Sequence, residues 1–237
     1  MHLVLILLIL VAALLLFRVL LCLAIFQPRC ALFTLMAEDP SRVVAQKGED
    51  LFVFCGGSGS TQKRMLSWNL PFDGHRINLV SNQRLCSSLS FFGLIESHEA
   101  TLREYVAKHG IKRLHIAGFS LGGCVAAKLA HSLQAQKLTI INGFDDWSSI
   151  IDCTGLLAPL CKLCAGAWVT ELDTAGYASA FMNGGGRHLR VIYSVGDCLI
   201  GPRACPGLLD LATSTLVWTG PHVPTPEQLA VWTPHLI

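Results

Sequence analysis

A serine enclosed by glycines is the feature that most restricts the fold of this chain. The apolar run at residues 114–117 leads into Gly-Phe-Ser-Leu-Gly-Gly at residues 118–123, and an alanine-rich segment follows. This pattern predicts a strand that turns sharply into a helix. Glycines in such a turn tolerate unusual backbone angles and avoid collisions with neighbouring elements. We therefore expect Ser120 to stand above a sheet edge, at a helix N-terminus that favours negative charge. The alternative is a glycine-rich turn that only packs.

Apolar runs alternate with helical patterns through residues 50–237. Runs typical of strands lie at 51–55, 76–81, 113–118, 137–143, 189–196 and 213–220, and helical patterns lie at 96–109, 121–133 and 226–236. Nearly continuous apolar strands that alternate with helices predict an α/β fold, in which a mostly parallel sheet carries helices on both faces. The alternation lapses at about 145–188, which predicts a short cap-like insertion in this domain.

The first 27 residues predict a transmembrane signal-anchor. Residues 3–26 are apolar apart from Arg18, and the run is long enough to cross a bilayer as a helix. The alternative is a cleaved signal peptide, because Cys22 and Ala24 are small enough to precede a cleavage site. A basic region before the apolar run is missing, which favours the anchor.

Residues 28–49 are polar, contain prolines and predict a linker between the anchor and the domain. Positive charge follows the anchor at Arg29, Arg42 and Lys47, which predicts a cytosolic domain by the positive-inside rule. Cleavage of the segment would instead give a secreted or lumenal protein. The formal charge of +2 is too small to indicate a nucleic-acid partner.

The ten cysteines predict neither a disulfide framework nor a metal site. Cys161 and Cys164 form a CxxC pair, but no second pair stands at zinc-like spacing. We interpret them as ordinary thiols.

With the serine in its strand–turn–helix context, residues 50–237 resemble the α/β-hydrolase superfamily of serine hydrolases. A compact domain behind an N-terminal anchor is similar to the membrane-anchored ABHD-type members. One departure from the superfamily is that the run after residues 76–81 lacks the Asp-x-Arg-Gly type of pattern that many relatives carry.

The resemblance implies a catalytic triad in the chain order serine, acid, histidine. Asp197 ends "VIYSVGD", just past one predicted strand, and His222 lies in "WTGPHVP", after the next. His222 would be the general base and Asp197 its orienting acid. Taken singly, they would be a turn residue and a surface histidine. Asp146, after the run at 137–143, is the alternative acid.

The resemblance also implies two backbone donors for an oxyanion hole. One is the N–H of Leu121, the residue after the nucleophile. The other is the N–H of Gly57 in "FVFCGGSGS", with Ser58 as a further candidate. Cys55 stands where many relatives have a histidine, but the donor belongs to the main chain. A plain flexible loop is the alternative.

These features predict a membrane-anchored serine hydrolase that cleaves an ester or thioester and needs no metal or organic cofactor. The anchor would hold the site near a membrane lipid or acylated substrate. Apolar residues of the insertion would either line an acyl site or pack the insertion, and the second reading is favoured; they are Leu156, Leu157, Leu160, Trp168 and Phe181. A non-catalytic binding scaffold, an acyltransferase and a peptidase remain alternatives.

Overall fold

One sheet with flanking helices makes up the described part of the domain. The computed structural model describes residues 9–13, 16, 41–57, 60–68, 72–80, 91–152, 172–198 and 200–236. The strands are β1 (Ser41–Ala45), β2 (Asp50–Cys55), β3 (His75–Leu79), β4 (Arg113–Phe119), β5 (Lys137–Ile141), β6 (His188–Ser194) and β7 (Ser214–Trp218). The helices are α1 (Gln62–Ser67), α2 (Phe91–His109), α3 (Leu121–Ser132), α4 (Trp147–Asp152), α5 (Thr174–Asn183), α6 (Pro206–Leu211) and α7 (Pro226–Leu236), and a 3-10 turn spans Pro202–Ala204.

The sheet is parallel except at one edge. Its strand order is β1-β3-β2-β4-β5-β6-β7. β1 pairs antiparallel with β3, and the other neighbouring strands run parallel. Parallel neighbours need crossover connections, and helices supply them here.

Alternate residues of the central strands enter two separate cores, because successive side chains on a strand point to opposite faces. Leu51 and Val53 of β2 join a core formed with α2, α3 and α5. Phe52 and Phe54 enter the opposite core, which α1 and α7 cover. A sheet buried on both faces explains the continuous apolar runs of the sequence. The predicted α/β fold, with a mostly parallel sheet between helices, is confirmed.

One strand lies within the segment that the sequence predicts to be a linker. The six predicted strands correspond to β2 through β7, whereas β1 occupies residues 41–45. β1 lies at the edge of the sheet, and its three middle residues are exposed. An exposed edge strand shows no apolar run, so its pattern resembles a linker. The prediction of a linker over residues 28–49 is therefore wrong for residues 41–45.

The predicted insertion at about 145–188 contains a core helix. α5 packs against α3 and contributes Ala178 and Phe181 to the core, and Phe181 is only 2% exposed. The cap-like prediction is therefore wrong for α5, which lies in the connection between β5 and β6 and packs into the core. Small residues make up much of α5, so it approaches α3 closely and shows little apolar periodicity. Phe181 belongs to the core and not to an acyl site.

The remaining insertion residues that were considered for an acyl site, Leu156, Leu157, Leu160 and Trp168, lie outside the described residues. Near the N-terminus the structure describes only residues 9–13 and 16, which are helical and exposed. Among the described residues, no helix combines the length and the apolar character needed to cross a membrane. The signal-anchor over residues 1–27 stays a prediction.

Candidate active site

Four of the predicted site residues follow parallel strands that end at one edge of the sheet. Gly57 follows β2, Ser120 follows β4, Asp197 follows β6 and His222 follows β7. The carboxyl edge of an open parallel sheet is the usual position of a ligand site, because the loops there converge.

Ser120 occupies the strained strand-to-helix turn that the sequence predicts. Its φ is 54° and its ψ is −124°, a conformation that residues other than glycine rarely adopt. Its amide donates to the carbonyl of Ile141 at 2.9 Å, and its carbonyl accepts from the amide of Gly123 at 2.8 Å. The two bonds hold Ser120 between β4 and α3, with 9% of the residue exposed.

The glycines beside Ser120 allow three segments to meet. A side chain at Gly118 would collide with the carbonyl of Gly122, and its Cβ would lie 2.7 Å from that of Ala126 in α3. A side chain at Gly122 would collide with the carbonyl oxygens of Cys55 and Gly56, at the end of β2. The turn therefore touches both its own helix and the loop after β2.

Asp197 and His222 form a short, buried hydrogen bond. His222 Nδ1 lies 2.6 Å from Asp197 Oδ2, and their side chains are 11% and 0% exposed. Asp197 Oδ1 also accepts from the amide of Ile200 at 2.9 Å. A carboxylate at Nδ1 requires the proton on that nitrogen, so Nε2 of neutral His222 is the basic nitrogen.

His222 lies next to the serine turn. Its ring centroid is 5.0 Å from that of Phe119, the residue before Ser120. Within the described part of the chain, no hydrogen bond joins the Ser120 hydroxyl to the His222 ring. Such bonds are often long in unligated sites and tighten when substrate binds. The structure thus pairs the acid with the histidine and places the serine beside them.

The two candidate oxyanion donors flank the same serine. A Cβ built on Gly57 would lie 2.9 Å from the Phe119 carbonyl oxygen and 3.1 Å from Ser120 Cβ. Leu121 begins α3, so its amide is at the helix N-terminus. Both backbone segments therefore lie within reach of a group bound to Ser120. The further candidate, Ser58, lies outside the described residues.

The alternative acid, Asp146, serves another purpose. Its Oδ1 accepts from the amide and the hydroxyl of Ser149, at 2.6 and 2.8 Å, which caps the start of α4. Asp145 likewise accepts from the amides of Gly207 and Leu208 at the start of α6. The structure therefore pairs His222 with Asp197 and not with Asp146.

Sequence reasoning missed Asn142, which contacts the same site. Asn142 directly follows β5, has a φ of 45° and is 1% exposed. Its Nδ2 donates to the carbonyl of His222 at 2.6 Å. The signal that could have found it is an asparagine at the carboxyl end of an apolar strand, where a buried polar side chain requires partners.

The thiol of Cys55 is buried at the end of β2. Burial raises the pKa of the Cys55 thiol far above its usual range, so the residue at the usual histidine position is a neutral thiol. In the ranges that the structure covers, no group of three or more His, Cys, Asp or Glu side chains is placed to hold a metal ion. Cys161 and Cys164 lie outside those ranges.

The packing at Gly122 predicts a large difference between two adjacent substitutions. Gly122→Ala forces Cβ against two carbonyl oxygens, so it should lower the free energy of unfolding by about 1–3 kcal/mol. Gly123→Ala is the matched control, because its Cβ would meet no atom closer than the Cγ2 methyl of Ile140, at 3.1 Å, and no carbonyl oxygen closer than 3.9 Å. It should change stability by no more than about 1 kcal/mol. Urea unfolding of both variants measures the difference, and equal stabilities would contradict the described packing.

Comparison with known proteins places the fold. No family model and no curated protein sequence matches the chain. Among solved structures, Est1E from Butyrivibrio proteoclasticus matches with a TM-score of 0.59 and 10% identity, over 83% of this chain and 90% of its own. The esterase domain of a Rhodothermus marinus protein matches with a TM-score of 0.59 and 16% identity, over 83% and 89%.

Pyrococcus horikoshii acylaminoacyl peptidase matches with a TM-score of 0.56 and 14% identity, over 81% of this chain. The chain spans only 37% of the length of that peptidase. Identities this low establish the fold alone. The chain therefore has the α/β-hydrolase fold that these esterases and this peptidase share.

Proposed function

We propose that the chain is a serine hydrolase that cleaves a carboxylic ester or thioester through an acyl-enzyme on Ser120. The observation that carries the proposal is the 2.6 Å bond between His222 Nδ1 and Asp197 Oδ2, next to the strained Ser120 turn. A nucleophile, a base and a group that orients the base are the components of a triad. Esterases and a peptidase with the same fold support this reading.

The first half of the reaction forms the acyl-enzyme. Ser120 Oγ attacks the substrate carbonyl carbon while His222 Nε2 removes the hydroxyl proton. Asp197 keeps the other ring proton on Nδ1 and stabilises the imidazolium. When the tetrahedral intermediate collapses, His222 gives its proton to the departing alkoxide or thiolate, which leaves as an alcohol or thiol.

The oxyanion of that intermediate is stabilised by the amides of Gly57 and Leu121. Each such donor typically contributes a factor of about 10²–10³ to the rate. The amides belong to two segments that Gly122 brings into contact, so the donor pair is preorganised by backbone packing. In the second half, His222 removes a proton from a water molecule, whose oxygen attacks the acyl carbon. When this intermediate collapses, the bond to Ser120 Oγ breaks, His222 returns the proton to that oxygen, and the carboxylic acid leaves.

An acyl lipid or an acylated protein is the substrate class that we propose, on the basis of the apolar segment at residues 3–26. A signal-anchor there would keep the site within reach of acyl groups at a membrane surface. By the positive charges that follow the segment, the domain would lie on the cytosolic side.

The anchor has a direct test. The full chain should stay in the membrane pellet after an alkaline wash, and a chain that lacks residues 1–27 should be released. Release of the full chain by the same wash would refute the anchor, and a shortened mature chain would instead identify a cleaved signal peptide.

The triad predicts how the chain reacts with a fluorophosphonate, which modifies only an activated serine. The parent should be labelled, and Ser120→Ala should not be labelled at all. His222→Gln should label at least about 100-fold more slowly, because the base is lost. The rate of labelling is measured at equal concentrations of folded protein. Ser132→Ala, a serine at the other end of α3, is the matched control and should label like the parent. A folded parent that resists labelling would contradict the proposed hydrolase, and would favour either a non-catalytic binding scaffold or another acid or base.

A further inference from the structure

We propose that Asn142 is a positioning residue that sets the distance between the nucleophile and the base. This inference rests on the proposed function. Asn142 Nδ2 donates to the backbone carbonyl of His222 at 2.6 Å, across eighty positions of the chain. The contact is made to the main chain, so it fixes the loop that carries His222 and leaves the imidazole free to exchange protons.

The consecutive residues Ile141 and Asn142 each form a hydrogen bond to one of the two proposed reacting residues. The carbonyl of Ile141 accepts the amide of Ser120 at 2.9 Å, and the side chain of Asn142 holds the carbonyl of His222. Ile141 is the last residue of β5, which pairs with β4 along its whole length. The end of β5 is therefore a common reference point for Ser120 and His222.

The side-chain amide of Asn142 can take only one orientation. Its Oδ1 accepts from the amide of Ser194 at 3.0 Å, while Nδ2 faces a carbonyl. Rotation by 180° would place the NH2 group against an N–H and the oxygen against a carbonyl oxygen. The backbone N–H of Asn142 also donates to the carbonyl of Ile192 at 2.8 Å. Main chain and side chain thus tie Asn142 to β6, the strand that leads to Asp197.

Ser194 holds a second point of the same loop. Its hydroxyl donates to the carbonyl of Gly220 at 2.6 Å and accepts from the amide of Gly196 at 3.1 Å. Ser194 is fully buried. We call the side chains of Asn142 and Ser194 the clasp. The clasp fixes the loop after β7 at two points, Gly220 and His222. It also joins this loop, through Gly196, to the loop after β6 that carries Asp197.

The loop needs such support because it has no regular structure of its own. β7 ends at Trp218 and α7 begins at Pro226, and the residues between them lie outside helices and strands. A displacement of about 1 Å between reacting groups costs about 100-fold in rate. The clasp therefore supplies precision that the side-chain bond to Asp197 does not supply alone.

The test is Asn142→Gly. Glycine adopts the φ of 45° without strain, so the substitution removes the side-chain bonds and keeps the backbone path. Gln134→Gly is the matched control, because Gln134 also has a positive φ, of 54°, and follows α3 at the end opposite to Ser120. Both variants gain the same backbone freedom, and only one loses a contact to His222.

The measured quantity is the rate constant of fluorophosphonate labelling, with the fraction labelled at completion reporting how much protein is folded. Asn142→Gly should label at least 10-fold more slowly with the same final fraction, and Gln134→Gly should match the parent. A purely structural role would lower the final fraction and leave the rate constant unchanged. Equal rate constants for Asn142→Gly and Gln134→Gly would overturn the proposal.

Ser194→Ala keeps the test decisive if Asn142→Gly does not fold. It removes only the bond to Gly220 and the acceptor for Gly196, and it should slow labelling several-fold. An unchanged rate constant in a folded Ser194→Ala would overturn the clasp. If both variants fold, the double variant should lose less than the product of the single effects, because the two side chains act on one loop.

A proton resonance separates failure of this inference from failure of the proposed function. The Nδ1 proton of His222, in its short bond to Asp197, should give a signal far downfield of the amide region in the full chain. The parent and Gln134→Gly should show it, and Asn142→Gly should lose or broaden it. A parent that shows the signal but is not labelled would contradict the proposed hydrolase function and leave the clasp standing. Retention of the parent signal by Asn142→Gly would contradict the clasp.

Discussion

The close contact between the β4–α3 turn and the end of β2 is the constraint on which the site depends. Gly122 lies against the carbonyls of Cys55 and Gly56, and no side chain fits between them. This contact places Ser120 beside Gly57, and it leaves the N-terminus of α3 directed at the same space. The strain at Ser120 persists because the bonds to Ile141 and Gly123 determine its backbone from both sides.

The second constraint is the burial of the acid. The Asp197 side chain is fully buried, and a buried carboxylate is stable only when hydrogen bonds satisfy its oxygens. His222 satisfies one oxygen and the amide of Ile200 the other. The charge of Asp197 also affects Cys205. Burial and then the charges of Asp145 and Asp197 raise the pKa of the Cys205 thiol to about 12. Cys205 therefore stays neutral beside the acid.

Much of the fold could be predicted because its central strands are buried on both faces. A run such as Leu51–Cys55 has no polar residue, and this pattern is typical of a parallel strand that is covered on both faces. Several described elements lack such a run and were not predicted. Among them, α1, α4 and α6 are helices of only six residues each. β1 is an exposed edge strand that lacks an apolar run, and α5 consists largely of small residues that pack closely without a clear apolar stripe.

The candidate residues could be predicted where they directly follow a strand and fit the serine, acid, histidine order that the resemblance implies. Ser120, Asp197 and His222 meet both conditions. The sequence analysis ranked Asp197 above Asp146. In the structure Asp197 contacts His222, whereas Asp146 caps the start of α4. The position of Asn142 at the end of an apolar strand is visible in the sequence, but its contact is not, since the backbone carbonyl of His222 lies eighty positions away.

The measurement that tests the central claim most directly is a crystal structure of the chain after reaction with a small phosphonate ester. The account predicts phosphorus bonded to Ser120 Oγ and a phosphoryl oxygen within about 3 Å of the amides of Gly57 and Leu121. His222 Nε2 should lie within hydrogen-bond distance of Ser120 Oγ, with Nδ1 still bonded to Asp197. Phosphorus on another residue, or an adduct on Ser120 with His222 turned away, would contradict it.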